Sequence, residues 1–249
     1  MQNAVLNTQE LLEIRNVDRL LPSQAVLCKK FEGGSSEFFE QLENLILSVQ
    51  AHKSVEDKWD IVLKPGVSYA SLGSDIGTLY FYQLLIRLGG IKSILELGTY
   101  IGVSALYMAE AAGEKGKVTT IEFGQEFYDI AKTNFERNGY SKRVDQVLGC
   151  GMEALRDFAK KNQKFDCILI DAAKESYAEM LELSLPCLTE NGLILVDDVF
   201  FQGDVLNKVP STDKGLGVRR MLEMAIQLKN FQKTILPIGN GLLIMRRES

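Results

Sequence analysis

The chain has 249 residues, 46% of them hydrophobic and 24% charged, with a formal net charge of −5. This is the balance of an ordinary folded protein, long enough for one sizeable α/β domain or a small domain with an appendage. A mildly acidic chain argues against broad, sequence-independent nucleic-acid binding, which needs a cationic surface, and no apolar run approaches the ~18 residues of a membrane-spanning helix. In chain order, the opening stretch "MQNAVLNTQELLEIRNVDRL" is polar and of mixed charge, without the basic and apolar segments of a signal peptide. It carries a predicted helix around residues 9–21 that ends near Pro22. After the break "EGGSS", Phe38, Phe39, Leu42, Leu45, Ile46 and Val49 form one apolar stripe at helical spacing. Such a stripe reads first as core packing, and as a subunit interface for whatever it leaves exposed. "KPGVSYASLGSDIG" reads as a loop, leading into a helix that Gly89 and Gly90 stop.

From there strands and helices alternate. Strands are predicted at 93–97, 117–122, within "VDQVLG", at 165–171 and at 192–198; helices follow them at 103–112, 127–138, 152–161, 177–188 and 217–228. Strands dense in Val, Ile and Leu between helices mean a mostly parallel sheet covered on both faces, an α/β Rossmann-like doubly wound fold. The chain's end departs from this. "ILPIGNGLLIM" sets Gly239-Asn240-Gly241 between two strand-like runs, so the sheet is expected to finish with an antiparallel strand. The organisation expected is a helical extension over 1–60 and one domain over 61–249.

The first strand leaves through "ELGTYIG". Ligands of open α/β sheets bind beyond the C-terminal ends of the strands. There Gly98 permits a tight turn and Gly102 a close approach of the helix, whose N-terminus offers free N–H groups. Such a spacing is also that of a mere compact turn. The second strand ends in Glu122, 24 residues after Gly98, where an acid can accept hydrogen bonds from both hydroxyls of a ribose; it is also where a helix cap or a solvated acid would stand. Together the two point to a nucleoside-containing cofactor. Glu96, two residues before Gly98, disfavours a pyrophosphate and suits a cofactor with a cationic centre and an amino-acid tail.

Three acids stand at two further strand ends: Asp171 in "LIDAAKESY", and Asp197 and Asp198 in "LVDDVFFQG". Neighbouring strands lie about 5 Å apart, and three carboxylates so close repel unless a cation joins them. Each alone reads as a helix-capping aspartate; together they suit a hard divalent ion, which takes carboxylate and water oxygens. The four cysteines (28, 150, 167 and 187) include no C-x-x-C pair and read as reduced thiols of a cytoplasmic protein. The single histidine, His52, cannot build a triad or a His-rich zinc site.

"ILELGTYIGVSALYMA" resembles the first motif of class I S-adenosylmethionine-dependent methyltransferases, most closely the cation-dependent O-methyltransferases of the catechol and caffeoyl-CoA type. The likeness runs from about residue 64 to 247. It implies that Gly98, Tyr100 and Ser104 surround the methionine portion of the cofactor, with Glu96 and Asp171 beside it, Glu122 on the ribose, and Gly151 and Met152 near the adenine. It implies further that Asp171, Asp197 and Asp198 hold Mg²⁺, Mn²⁺ or Ca²⁺, and that Asp171 and Lys174 are catalytic, Lys174 removing the substrate's proton. Burial and a nearby dication are expected to lower the pKa of that lysine. Asp198 departs from the family pattern, standing where Asn is usual. Phe200, Phe201 and the loop 203–217 are expected to wall the substrate pocket, the loop's length suggesting mobility. The resemblance thus implies a metal-dependent transfer of a methyl group to a hydroxyl of a small catechol-like or vicinal-diol substrate, by a homodimer. Two alternatives stay open: a hydroxylated tRNA uridine as acceptor, for which "KKNQK" and "GVRRM" are small basic clusters, and a non-catalytic nucleoside-binding scaffold.

Overall fold

Seven strands form one twisted sheet in the computed structural model of the chain, which describes residues 45, 48–50, 54–66 and 74–248. The predicted helices before residue 45, together with Cys28 and His52, lie outside the described residues. The chain divides into two units, Met1–Lys53 and Ser54–Ser249, and the architecture below is that of the second. Its elements run α1 (Ile76–Leu88), β1 (Ser93–Leu97), α2 (Val103–Ala112), β2 (Lys117–Glu122), α3 (Gln125–Arg137), β3 (Val144–Leu148), α4 (Gly151–Lys160), β4 (Phe165–Ile170), α5 (Tyr177–Ser184), β5 (Leu188–Val196), α6 (Asp213–Gln227), β6 (Phe231–Leu236) and β7 (Leu242–Arg247).

The strand order is β3-β2-β1-β4-β5-β7-β6. Strands β1 to β5 pair in parallel, while β7 runs antiparallel to both β5 and β6. The Rossmann-like expectation with an antiparallel strand near the C-terminus therefore holds. The central strands β1 and β4 are buried almost throughout, because helices cover both of their faces. Side chains alternate between two cores. Ile94, Cys167 and Leu169 face the side of α1 and α2, with Val55, Trp59 and Ile61 in the same cluster. Leu95, Leu97, Ile168 and Ile170 face the side of α5 and α6.

Several boundaries differ from the sequence expectation for local reasons. Helix α6 starts at Asp213 rather than at 217, because the Thr212 side chain accepts the Gly215 amide as an N-cap. Helix α5 stops at Ser184, and a 3₁₀ turn at Leu185–Cys187 containing Pro186 follows it, since proline has no N–H to continue the ladder. Strand β5 ends at Val196, so Asp197 and Asp198 both lie just past its tip.

Candidate active site

The strand tips converge because of register. Ile170 of β4 pairs with Val196 of β5 and with Leu97 of β1. The next backbone bonds continue the ladders: Asp171 N–H donates to Leu97 at 2.9 Å, and Asp197 N–H to Ile170 at 3.1 Å. The glycine turn and the acid-bearing tips thus share one edge, and a cavity of about 790 Å³ opens above them.

At one end of this cavity lies the β1–α2 turn. Gly98 and Gly102 both adopt positive φ, 101° and 87°. Their conservation of space is internal: a β-carbon on Gly98 would lie 1.9 Å from the Asp171 carbonyl oxygen, and one on Gly102 2.6 Å from the Phe135 ring. The turn is therefore pressed onto β4 and α3 as well as opened to the cavity. Glu122 lines the cavity with its carboxylate held by two backbone donors, Tyr100 N–H at 2.8 Å and Gly124 N–H at 2.8 Å. Gly98, Tyr100, Ser104, Gly151 and Met152 line the same space.

Glu96 does not line it. Glu96 is fully buried beneath the turn, where it accepts hydrogen bonds from Ser104 and, at 2.5 Å, from Thr120, its cross-strand neighbour on β2. Burial pushes its pKa up to about 8, against the lowering effect of those two hydroxyls. Its position is that of a support for Ser104 rather than of a charge facing the cavity. Thr120 gave a sequence signal, a polar residue within an apolar strand, that was open to reading. Phe123, immediately after Glu122, is 81% exposed and stands at the cavity rim beside Phe127, whose ring packs on Tyr100 at 4.7 Å.

At the other end stand the three acids. Asp171 and Asp198 line the cavity with Lys174; Asp197 does not. Asp197 Oδ2 accepts from Tyr82 at 2.7 Å and Ser74 at 2.8 Å, and its Oδ1 accepts the Asp198 amide at 2.8 Å. Tyr82, a buried hydroxyl on the apolar face of α1, and Ser74 were not foreseen. Asp198 has φ 61°, the left-handed region that Asn and Asp tolerate best among non-glycine residues. Lys174 Nζ lies 2.7 Å from Asp198 Oδ2 and 3.5 Å from Asp171 Oδ1. Tyr177's hydroxyl is buried among the same charges without a hydrogen bond of ordinary geometry.

The electrostatics follow from burial. Desolvation raises the pKa of Asp171, and the Asp197 charge adds to it; desolvation likewise raises that of Asp197. The lowering expected for Lys174 belongs to a site that holds a dication, and the carboxylates by themselves set a different balance. Burial does pull the lysine's pKa down, but Asp171 and Asp198 together outweigh burial and hold it above the ordinary lysine value. As placed here, Lys174 is an ammonium paired with two carboxylates.

Three hard oxygen acids against one ammonium form a donor set whose chemistry suits a divalent cation. Yet among the described residues no three acidic, His or Cys side chains already stand at ligating geometry. The donor chemistry fits such an ion; the present arrangement, with Lys174 against Asp198, would have to open to take it.

The loop after β5 is braced by hydrogen bonds of its own. A short 3₁₀ stretch, Phe201–Leu206, begins it, and Asp204 then accepts bonds from the Ser211 and Thr212 amides and hydroxyls and from Asn207. Arg219 of α6 donates to the carbonyls of Val205 and Asn207. That use removes Arg219 from the basic cluster at 217–221, in which Val218 and Met221 are buried. Lys214, at the start of α6, faces the cavity. Among the described residues no helix is long and apolar enough to cross a membrane.

An open, mostly parallel sheet with a glycine turn, an acid at the next strand end and a cleft above both defines a Rossmann-like α/β protein. The chain matches the O-methyltransferase family over residues 47–248 and belongs to that family. It is 33% identical over 145 residues to a catechol O-methyltransferase of Niastella koreensis, covering 58% of this chain and 66% of that protein. It is 31% identical over 143 residues to one of Mycobacterium tuberculosis, covering 57% and 64%. The match thus spans slightly less than two thirds of either relative. An O-methyltransferase structure from Bacillus cereus in complex with SAH has the same fold, with a TM-score of 0.67 and 24% identity over 97% of this chain and 96% of that one. A Streptomyces achromogenes O-methyltransferase structure in complex with SAM gives a TM-score of 0.74 and 21% identity over 84% and 96%.

Proposed function

We propose that this protein transfers a methyl group from S-adenosylmethionine to a hydroxyl of a small catechol-like or vicinal-diol substrate, with the help of a divalent cation. The observation that carries the reading is the single cavity onto which Glu122 and the glycine turn open at one end, and Asp171, Lys174 and Asp198 at the other. Membership of the O-methyltransferase family and likeness to two catechol O-methyltransferases support the reaction class.

S-adenosylmethionine, when bound, supplies an electrophilic methyl group, and Mg²⁺, or Mn²⁺ or Ca²⁺ in its place, supplies Lewis acidity to paired oxygens. The residues to hold the cofactor are Glu122 at the ribose, Gly98, Tyr100 and Ser104 at the methionine portion, and Gly151 and Met152 at the adenine. Those to hold the cation are Asp171, Asp197 and Asp198. Glu122 is pre-oriented by its two backbone donors and keeps lone pairs for ribose hydroxyls. Lys174, once released from Asp198 and once its ammonium has given up a proton to solvent, would accept the substrate hydroxyl's proton at its Nζ. Phe200 and Phe201, expected to wall the substrate pocket, are not among the residues that line the cavity. Most of the rate gain in such a site comes from holding nucleophile and methyl donor at attack distance. The protein acts as a homodimer in the cytoplasm; Leu45 and Val49 of the apolar stripe are exposed, at 64% and 77%.

Calorimetric titration with S-adenosylmethionine, followed by turnover of caffeic acid with Mg²⁺ and with EDTA, tests the proposal. Micromolar cofactor binding and EDTA-sensitive turnover are expected, and Asp171→Ala abolishes that turnover while leaving the fold intact. Full activity of that variant, or turnover indifferent to EDTA, refutes the metal assignment.

A further inference from the structure

Asp198 is engaged twice in this chain. It is one of the acids that would take a divalent cation, and it is also the partner of Lys174 at 2.7 Å. The ammonium reaches Asp171 too, at 3.5 Å, so it stands between the two strand tips as a monovalent counter-ion. Asp197 is the least available of the three acids, because both of its oxygens already accept protein donors and it does not face the cavity. A dication arriving through the cavity therefore meets the two carboxylates that Lys174 already bridges.

The lysine's backbone offers no escape. Lys174 begins a 3₁₀ turn, Lys174–Ser176, whose carbonyl is packed so tightly on α6 that a β-carbon on Gly217 would lie 2.2 Å from it. The movement required is therefore one of the side chain. The Tyr177 ring, 5.4 Å from Nζ, provides a face that a displaced ammonium can lean on. A neutral amide at 198 would not hold the lysine in this way, since it lacks the charge that makes the contact an ion pair.

We propose that Lys174 and a divalent cation compete for Asp198, so that admitting the cation and freeing the lysine ammonium from its carboxylate are one event. This rests on the metal reading above and adds to it a reason for Asp198 in place of an amide: the base is kept paired until the cation arrives.

Mn²⁺ affinity, measured by electron paramagnetic resonance of the free ion on the full chain, tests the proposal without any turnover. Lys174→Met is expected to bind Mn²⁺ at least tenfold more tightly than wild type, and Lys174→Gln to behave alike. In an Asp198→Asn background the gain from Lys174→Met is expected to fall below threefold, because the close ion pair is gone and only the longer contact to Asp171, at 3.5 Å, is left to break. A crystal of the wild-type Mn²⁺ complex is expected to place Nζ more than about 4 Å from Asp198. Equal affinity of wild type and both lysine variants, an equal gain in both backgrounds, or bound Mn²⁺ with the ion pair intact would overturn competition. If in addition Asp171→Ala loses Mn²⁺, the metal reading survives that failure. If no variant binds Mn²⁺, the metal reading itself is refuted and the competition with it.

Discussion

A β-carbon placed on Gly98 would stand 1.9 Å from the carbonyl oxygen of Asp171. The glycine that opens the β1–α2 turn is thus the residue that lets the tips of β1 and β4 touch, and the two ends of the cavity are mechanically joined there. Gly98→Ala puts a side chain at φ 101° and into that backbone. A left-handed conformation alone costs about 1–2 kcal/mol, and the clash raises the loss to upwards of ~3 kcal/mol. Differential scanning calorimetry is expected to find a Tm lower by about 6–12 °C for a domain of this size. A variant within 2 °C of wild type would mean that the contact relaxes freely.

Glu122 is expected to dominate ribose recognition. Hydrogen bonds to a charged group contribute about 1.5–3 kcal/mol each, so losing even one of them in Glu122→Ala weakens S-adenosylmethionine binding by at least about 10–150-fold by calorimetry. Because Glu122 also accepts the Tyr100 and Gly124 amides, the melting temperature of the variant is measured alongside. A dissociation constant within threefold of wild type, in a variant that folds, removes Glu122 from the cofactor site.

Glu96 predicts how stability depends on pH. In the folded chain it keeps its proton up to about pH 8, whereas an unfolded glutamate loses it near 4.5. Between these values the native state binds the extra proton, so the stabilisation is complete below about pH 4.5 and declines as pH rises towards 8. Thermal melts of the cofactor-free protein are expected to fall from pH 6 to pH 8.5, and Glu96→Gln, which carries no titrating proton, to flatten that slope. An unchanged slope in the variant would assign the pH dependence elsewhere.

Asp204 is expected to set the order of the loop before α6. It gathers the amides and hydroxyls of Ser211 and Thr212 and the Asn207 amide, next to the Thr212 N-cap. Asp204→Ala should therefore speed hydrogen exchange across residues 201–213 at least tenfold while leaving the central strands protected. Unaltered exchange would show that Arg219 holds the loop by itself.

Periodicity and composition determine much of this protein without coordinates. Apolar runs such as "SILEL" and "FDCILI", each followed by a helical period, carry the parallel sheet, and "GNG" between two strand-like runs carries its antiparallel finish. These signals are local, because side-chain spacing reflects the backbone period. The acids at the strand ends were legible for the same reason: in a parallel sheet every strand's C-terminal tip lies on one edge, so sequence position gives spatial position. What a side chain does at that edge depends on neighbours far away in the chain. Glu96 turns under the floor because Thr120, 24 residues on, stands opposite it in register. Asp197 is bound by Ser74 and Tyr82, more than a hundred residues earlier. Lys174 is held as an ammonium by Asp198, on another strand's tip. Hydrogen bonds and ion pairs act over about 3 Å in space whatever the separation in sequence, and that is why only the tertiary structure decided which of the acids face the cavity and which brace it.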